Sequence, residues 1–278
     1  MKKFWAVFLG LIWPVIAVGS CLVSPAYNYW FPVNPANGTT SAASPLGQQI
    51  DDLFYMILWI VTIVFIGVSI ALFIALWRSA TDKDGEEGKA VFSHGSHNLE
   101  VIWTIVPAGI LLFIALYQMD VWAQYRVIDN FPEEARRKPV AEVTARQFEW
   151  RIRYPAPGKT LEIEPERHDL HAVNELHVPT GRPVMINLRT QDVQHSFFAP
   201  ELRVKQDAVP GLVIPVWFEV TESGKYTLLC AELCGWGHYK MKANIIAEPE
   251  SEYNAYLERL KAEQNEDGFP RETDDEDE

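Results

Sequence analysis

Residues 212–241 read LVIPVWFEVTESGKYTLLCAELCGWGHYKM. Leu212, Ile214, Val216, Phe218 and Val220 recur at every second position. Tyr226, Leu228 and Cys230 resume the alternation after the Ser223-Gly224 turn. A period of two puts these side chains on one face of a strand. The segment therefore predicts two half-buried strands that deliver the chain into a loop rich in sulfur and imidazole. The same alternation occurs upstream in Val143, Ala145, Phe148, Trp150, Ile152 and Tyr154, and again in Leu176, Val178, Val184, Ile186 and Leu188. Turn chemistry at Pro155–Gly158, Pro179–Gly181 and Pro210-Gly211 separates these runs. Short strands at this spacing predict a β-sandwich or small barrel over residues 123–248. A closing helix is predicted at 249–262, with Tyr253, Leu257 and Leu260 on one face. From Lys261 onward lies an acidic tail with the composition of a disordered segment.

The first half of the chain has membrane character. Leu53–Trp77 is an uncharged run of about 25 residues, long enough to cross a ~30 Å hydrocarbon core. Val101–Tyr117 is a second run, near the lower limit for a span, and contains Pro107. Trp59, Trp77, Trp103 and Trp122 suit interfacial positions. A transmembrane helical hairpin is expected over residues 50–122. Ahead of it, Lys2 and Lys3 precede the apolar Phe4–Val18, the pattern of a signal peptide over residues 1–20. Val18-Gly19-Ser20-Cys21 resembles a bacterial lipobox, with Cys21 as the lipidated new terminus; an ordinary signal peptide or an uncleaved anchor is the alternative. Residues 21–49, with four prolines and no periodic apolar face, read as an exterior linker. A translocated leader puts the loop Arg78–Glu100, with Lys83 and Lys89, in the cytoplasm. Everything after Trp122 then lies outside, in an oxidising compartment.

The metal-ligating potential is concentrated in one loop. Cys230, Cys234, His238 and Met241 fall within twelve residues, and His195 lies upstream in an expected His-Ser-Phe turn. Soft thiolate and thioether donors with imidazole select copper, whereas zinc prefers a closed Cys/His tetrahedron. A single blue-copper ion needs one Cys. The second thiolate allows both sulfurs to bridge two copper ions, with His195 and His238 terminal and with Met241 and the Glu232 carbonyl as weak donors. The competing reading is a Cys230–Cys234 disulfide with His238 and Met241 merely packed nearby. His94, His97, His168, His171 and His177 read as solvated or capping residues. No Cys-x-x-Cys-His occurs, so no c-type haem is attached to this sequence. The formal charge of −13 argues against a nucleic-acid partner, which needs a basic face. Glu100 has two local readings: a solvated carboxylate at a helix N-terminus, or a proton-uptake group at a membrane segment.

Three segments resemble subunit II of cytochrome c oxidase, in the haem–copper oxidase superfamily, in its bacterial CuA-containing form. They are the loop Cys230–Met241, the stretch from His195 through Lys205, Asp207 and Gly211, and Glu100–Pro107. The resemblance covers about residues 50–248 and implies a two-helix anchor carrying an exterior cupredoxin-like Greek-key domain. His195, Cys230, Glu232 (through its carbonyl), Cys234, His238 and Met241 would hold a dinuclear CuA centre. The Glu232 carboxylate would reach a Mg or Mn ion at the boundary with subunit I.

The implied activity is acceptance of electrons from cytochrome c and delivery to haem a of subunit I. That subunit also carries haem a3 and CuB, reduces O2 and pumps protons. Subunit III and membrane lipids complete the implied partners, in the bacterial inner (plasma) membrane. Glu100 matches the glutamate at the mouth of a proton pathway. Asp192 and Asp207 match polar residues near the subunit I interface, and Asp192 also suits docking of cytochrome c. One departure stands out. Where the family carries a tryptophan as the first electron acceptor, this chain has Phe148, leaving Trp150 or another exposed aromatic to substitute. Three other classes are separable. Quinol-oxidase subunits lack the ligands, nitrous oxide reductases lack the hairpin, and a copper chaperone or single-copper carrier needs only one of the cysteines.

Overall fold

The computed structural model describes residues 2–24, 30–81 and 94–264. Lys83, Lys89 and the tail beyond Gln264 lie outside the described residues. The chain forms two compact units, Met1–Trp30 with Asp52–Asp120, and Phe31–Asp51 with Val121–Glu278.

The first unit is helical. α1 (Lys2–Val7) continues through a π-turn at Phe8–Ile12 into α2 (Trp13–Val23), with Pro14, which has no N–H to give the helix, just after the π-turn. α3 (Pro45–Thr81) and α4 (His97–Arg126) follow, each ending in a basic last turn at Arg78 and Arg126. Large apolar side chains such as Trp59, Ile63, Ile105 and Leu111 face outward, as lipid contact requires. Among the described residues, three helical stretches are long and apolar enough to span: Lys3–Val23, Pro45–Arg78 and His97–Arg126. A further apolar helix thus precedes the expected hairpin, because the helix over Phe4–Val18 does not stop at Ser20 but runs past Cys21. It packs on α3 through Gly10, where a Cβ would lie 2.5 Å from that of Phe73.

The second unit is a β-sandwich. One sheet contains β1 (Ala141–Arg146), β2 (Glu149–Tyr154), β3 (Leu170–Val173), β5 (Pro183–Thr190) and β8 (Ile214–Glu219), in the order β3-β2-β1-β5-β8. The other contains β4 (Glu175–Pro179), β6 (His195–Ala199), β7 (Val204–Ala208), β9 (Gly224–Cys230) and β10 (Lys242–Glu248), in the order β4-β10-β9-β6-β7. Most pairings are antiparallel, but β1 runs parallel to β5, and β10 to β4. The alternating residues meet between the sheets: Trp150, Ile152, Ile186, Leu188, Phe197, Phe218 and Leu228 are all buried there. A short helix, α5 (Glu133–Arg137), precedes β1, and α6 (Glu250–Glu263) closes the sandwich. Tyr253 and Leu257 of α6 are buried, and Leu260 packs against the same core. His177, in β4, is buried rather than solvated. Its Nδ1 lies 2.8 Å from Glu248, and its ring stacks on Tyr256 at 3.5 Å.

Three further expectations are corrected. His195 opens strand β6 rather than sitting in a turn, since its backbone pairs with Ala208 of β7. Leu212 is exposed ahead of β8, so that strand begins two residues later than the alternation implied. The 21–49 linker is in part a built element. Ala43 is buried, its N–H donates to Glu201 O (2.8 Å), and its carbonyl accepts from Thr221 N (3.1 Å). Arg203 fastens the same segment, donating from Nε and Nη2 to Asp51 at 2.8 and 3.0 Å and from Nη2 to Thr40 O. The two parallel bonds from one guanidinium to one carboxylate fix the geometry of the segment.

Candidate metal centre

Pairing of β6 with β9 sets Phe197 opposite Cys230 and brings His195 next to the start of the Cys loop. The loop then turns back through Gly235, whose φ of +133° an L side chain rarely adopts. His238 follows in a single 3-10 turn, and Met241 precedes β10. Cys230 N donates to Met241 O at 3.2 Å, closing the base of the loop.

The donors fall into two matching sets. Around Cys230 Sγ lie His195 Nδ1 at 3.7 Å and the Glu232 carbonyl at 3.2 Å. Around Cys234 Sγ lie His238 Nδ1 at 3.7 Å and Met241 Sδ at 3.9 Å. The two sulfurs are 3.9 Å apart and both thiols are free, so the disulfide reading does not describe this structure. Two donors about 2.0–2.3 Å from one shared ion at tetrahedral angles stand on the order of 3.5 Å apart, close to the spacings observed. His195, Cys230 and Cys234 form a buried group able to hold a metal ion. The donor chemistry is soft and fits copper.

Electrostatics prepare the same atoms. Burial pushes the Cys230 thiol up, but hydrogen bonds from the His195 imidazole and the Ser196 backbone outweigh it and bring its pKa down to about 6. Burial and the neighbouring Cys230 thiolate push Cys234 up to about 12. Burial opposes protonation of His195, but its contacts with Cys230 and Asp192 reverse that and raise its pKa.

Around these donors is a supporting layer that sequence reasoning missed. Asp192 Oδ1 lies 2.9 Å from His195 Nε2 and accepts from Val193 N at 2.7 Å, and Oδ2 accepts from Gln147 N at 2.8 Å. Burial would raise its pKa, but the Gln147 and His195 bonds hold it below the ordinary carboxylate value. Asp192 is thus committed to His195 rather than standing free as a docking acid. Gln147 also donates from Nε2 to Cys234 O at 2.5 Å, joining both ligand segments through the β1–β2 turn. The only sequence signal for this was the polar residue at the break between two alternating runs.

Other expected site residues lie elsewhere. Trp150 is 0% exposed and packs on Phe197, which overturns its assignment as a surface electron acceptor. Phe148 sits in the β1–β2 turn against the metal loop. Glu100 is in the first turn of α4, in the helical unit, where its N–H donates to Ser96 O. Asp207 is in β7 opposite Ser196, with Gln194 Nε2 at 3.5 Å from its carboxylate.

Comparison with known proteins identifies the lineage. Residues 32–121 match the family description "Cytochrome C oxidase subunit II, transmembrane domain", and residues 152–248 match "Cytochrome C oxidase subunit II, periplasmic domain". The chain belongs to the cytochrome c oxidase subunit II family. It is 33% identical over 273 residues to an alternative cytochrome c oxidase subunit 2 of Bradyrhizobium diazoefficiens, covering 91% of this chain and 92% of that protein. It is 32% identical to a cytochrome c oxidase subunit 2 of Alkalihalophilus pseudofirmus, covering 80% of this chain and 63% of that one. A crystal structure of the periplasmic domain of subunit II of the Bradyrhizobium japonicum oxidase aligns with 25% identity and a TM-score of 0.39, over 44% of this chain and 92% of that one. The subunit is therefore part of a haem–copper oxidoreductase in a bacterial membrane, with its β unit on the periplasmic side.

Proposed function

We propose that this chain is the subunit through which electrons enter a proton-pumping terminal oxidase. It takes them from reduced cytochrome c at a dinuclear CuA centre and passes them to haem a of subunit I, where O2 is reduced to water. The observation that carries this reading is the pairing of two donor sets, each with one thiol, one imidazole Nδ1 and one weak donor, around sulfurs 3.9 Å apart. Copper held there supplies one-electron redox chemistry shared between two ions. The protein's part is to fix the donors. β6 and β9 set His195 and Cys230, the glycine-rich loop sets Cys234 and His238, and burial of Met241 and Cys234 keeps water out.

The Glu232 carboxylate is assigned to a Mg or Mn ion at the boundary with subunit I, and Glu100 to the mouth of a proton pathway. Subunits I and III are the membrane partners. Residues 1–20 are assigned as a leader removed ahead of a lipidated Cys21, which an intact mass retaining Met1 would refute. The test of the main reading is rapid mixing of the copper-loaded chain with reduced cytochrome c. The wild type oxidises the cytochrome and Cys234→Ser does not; oxidation by both, or by neither, contradicts it.

A further inference from the structure

Leu233, Trp236 and Tyr239 of the metal loop all stand in solvent, but Trp236 differs in what lies beneath it. Its ring, 75% exposed, meets Phe148 edge-on at 5.1 Å, and Lys240 Nζ lies 4.5 Å over its face. Phe148 in turn presses on the loop backbone: a Cβ at Gly237 would lie 2.5 Å from the Phe148 ring. Trp236 is therefore a large, oriented aromatic held on a rigid support. It lies two residues from Cys234 on one side and two from His238 on the other. Trp is among the side chains enriched at the energetic centres of protein contacts, where its large ring is buried by the partner. Trp150 has no surface to offer a partner.

Resting on the electron-relay reading above, we propose that Trp236 is the contact through which reduced cytochrome c delivers its electron, with Phe148 as the positioning residue that holds the indole. The occupant follows from continuity with the site. A partner seated on this indole is within two residues of ligands on both sides, and an apolar contact excludes water between two redox centres. The step transfers one electron. The cytochrome iron goes from ferrous to ferric, the metal centre gains the electron, and no bond breaks and no proton moves.

The test uses the intact oxidase carrying Trp236→Ala or Trp236→Phe. Trp236→Ala lowers the second-order rate of reduction by cytochrome c by about tenfold or more, with Trp236→Phe in between, while the copper absorption spectrum stays unchanged. A second readout needs no metal. In the copper-free full chain, a photoreactive benzoylphenylalanine replacing Trp236 crosslinks to cytochrome c, whereas the same group replacing the exposed Ile163 does not. A wild-type rate in Trp236→Ala, or no crosslink from position 236, overturns the proposal and leaves the relay intact. Failure of cytochrome c to reduce even the wild type overturns the relay reading itself.

Discussion

Asp192 holds His195 from behind, with its Oδ1 2.9 Å from Nε2, while the opposite ring nitrogen, Nδ1, faces Cys230 Sγ at 3.7 Å. A carboxylate at Nε2 keeps the proton there and leaves the Nδ1 lone pair directed at the metal position. Removing such a partner costs about 10–100-fold in metal affinity in other sites. Asp192→Ala should weaken copper binding by that order in a chelator competition, and Asp192→Asn, which can still accept one bond, should lose less. Equal affinities in all three proteins would mean that the contact does not position the ligand.

The loop is shaped against the β1–β2 turn. A methyl group at Gly237 would lie 2.5 Å from Phe148 Cδ2 and 2.6 Å from Cγ. Overpacking of this kind costs about 1–3 kcal/mol. Gly237→Ala should lower the unfolding free energy by that amount and impair copper uptake. Adding Phe148→Ala should restore much of both, and strict additivity in the double-mutant cycle would show that the two positions do not press on one another.

The two thiols should titrate far apart in the reduced, metal-free chain. Cys230, brought from 9.0 to about 6, ionises first, and Cys234, pushed to about 12, stays protonated across neutral pH. Thiolate absorbance should therefore rise by one equivalent near pH 6 and hold there through pH 9. Since the folded value of Cys230 lies below the unfolded one, its contribution to stability is present above pH 9 and is lost as pH falls through 6. An absorbance that first rises near pH 9 would contradict the imidazole–thiolate pairing.

The ligand set was legible because it occupies one short contiguous stretch plus a single upstream histidine, so spacing alone exposed the chemistry. The sandwich was legible wherever alternation ran unbroken, as in Val184, Ile186 and Leu188. It was hidden where strands were short or read as motif: β3 has four residues, and β6 and β7 carry the His195 and Asp207 segments. The built part of the 21–49 stretch looked like linker because its buried apolar anchors, Ala42, Ala43 and Leu46, are too few and too small to mark a periodic apolar face. The roles of Asp192 and Gln147 depend on contacts across turns and strands, which no local pattern encodes. Trp150 and Phe148, both candidates for electron entry, part company for a related reason. Strand alternation turns Trp150 inward, while Phe148 falls in the turn.

Glu100 lies in the first turn of α4. If it is the mouth of a proton pathway, Glu100→Gln should slow O2 reduction by the intact oxidase while copper reduction by cytochrome c proceeds at the normal rate. Unchanged turnover would return Glu100 to the role of a solvated carboxylate favoured by the helix dipole.

The claim on which the rest depends is that the sulfurs of Cys230 and Cys234 jointly hold two copper ions sharing one unpaired electron. Electron paramagnetic resonance of the oxidised, copper-loaded chain tests it most directly. Equal sharing over two copper nuclei predicts a seven-line hyperfine pattern, lost in Cys234→Ser. A four-line pattern from a single copper, or a signal that survives Cys234→Ser, would contradict it.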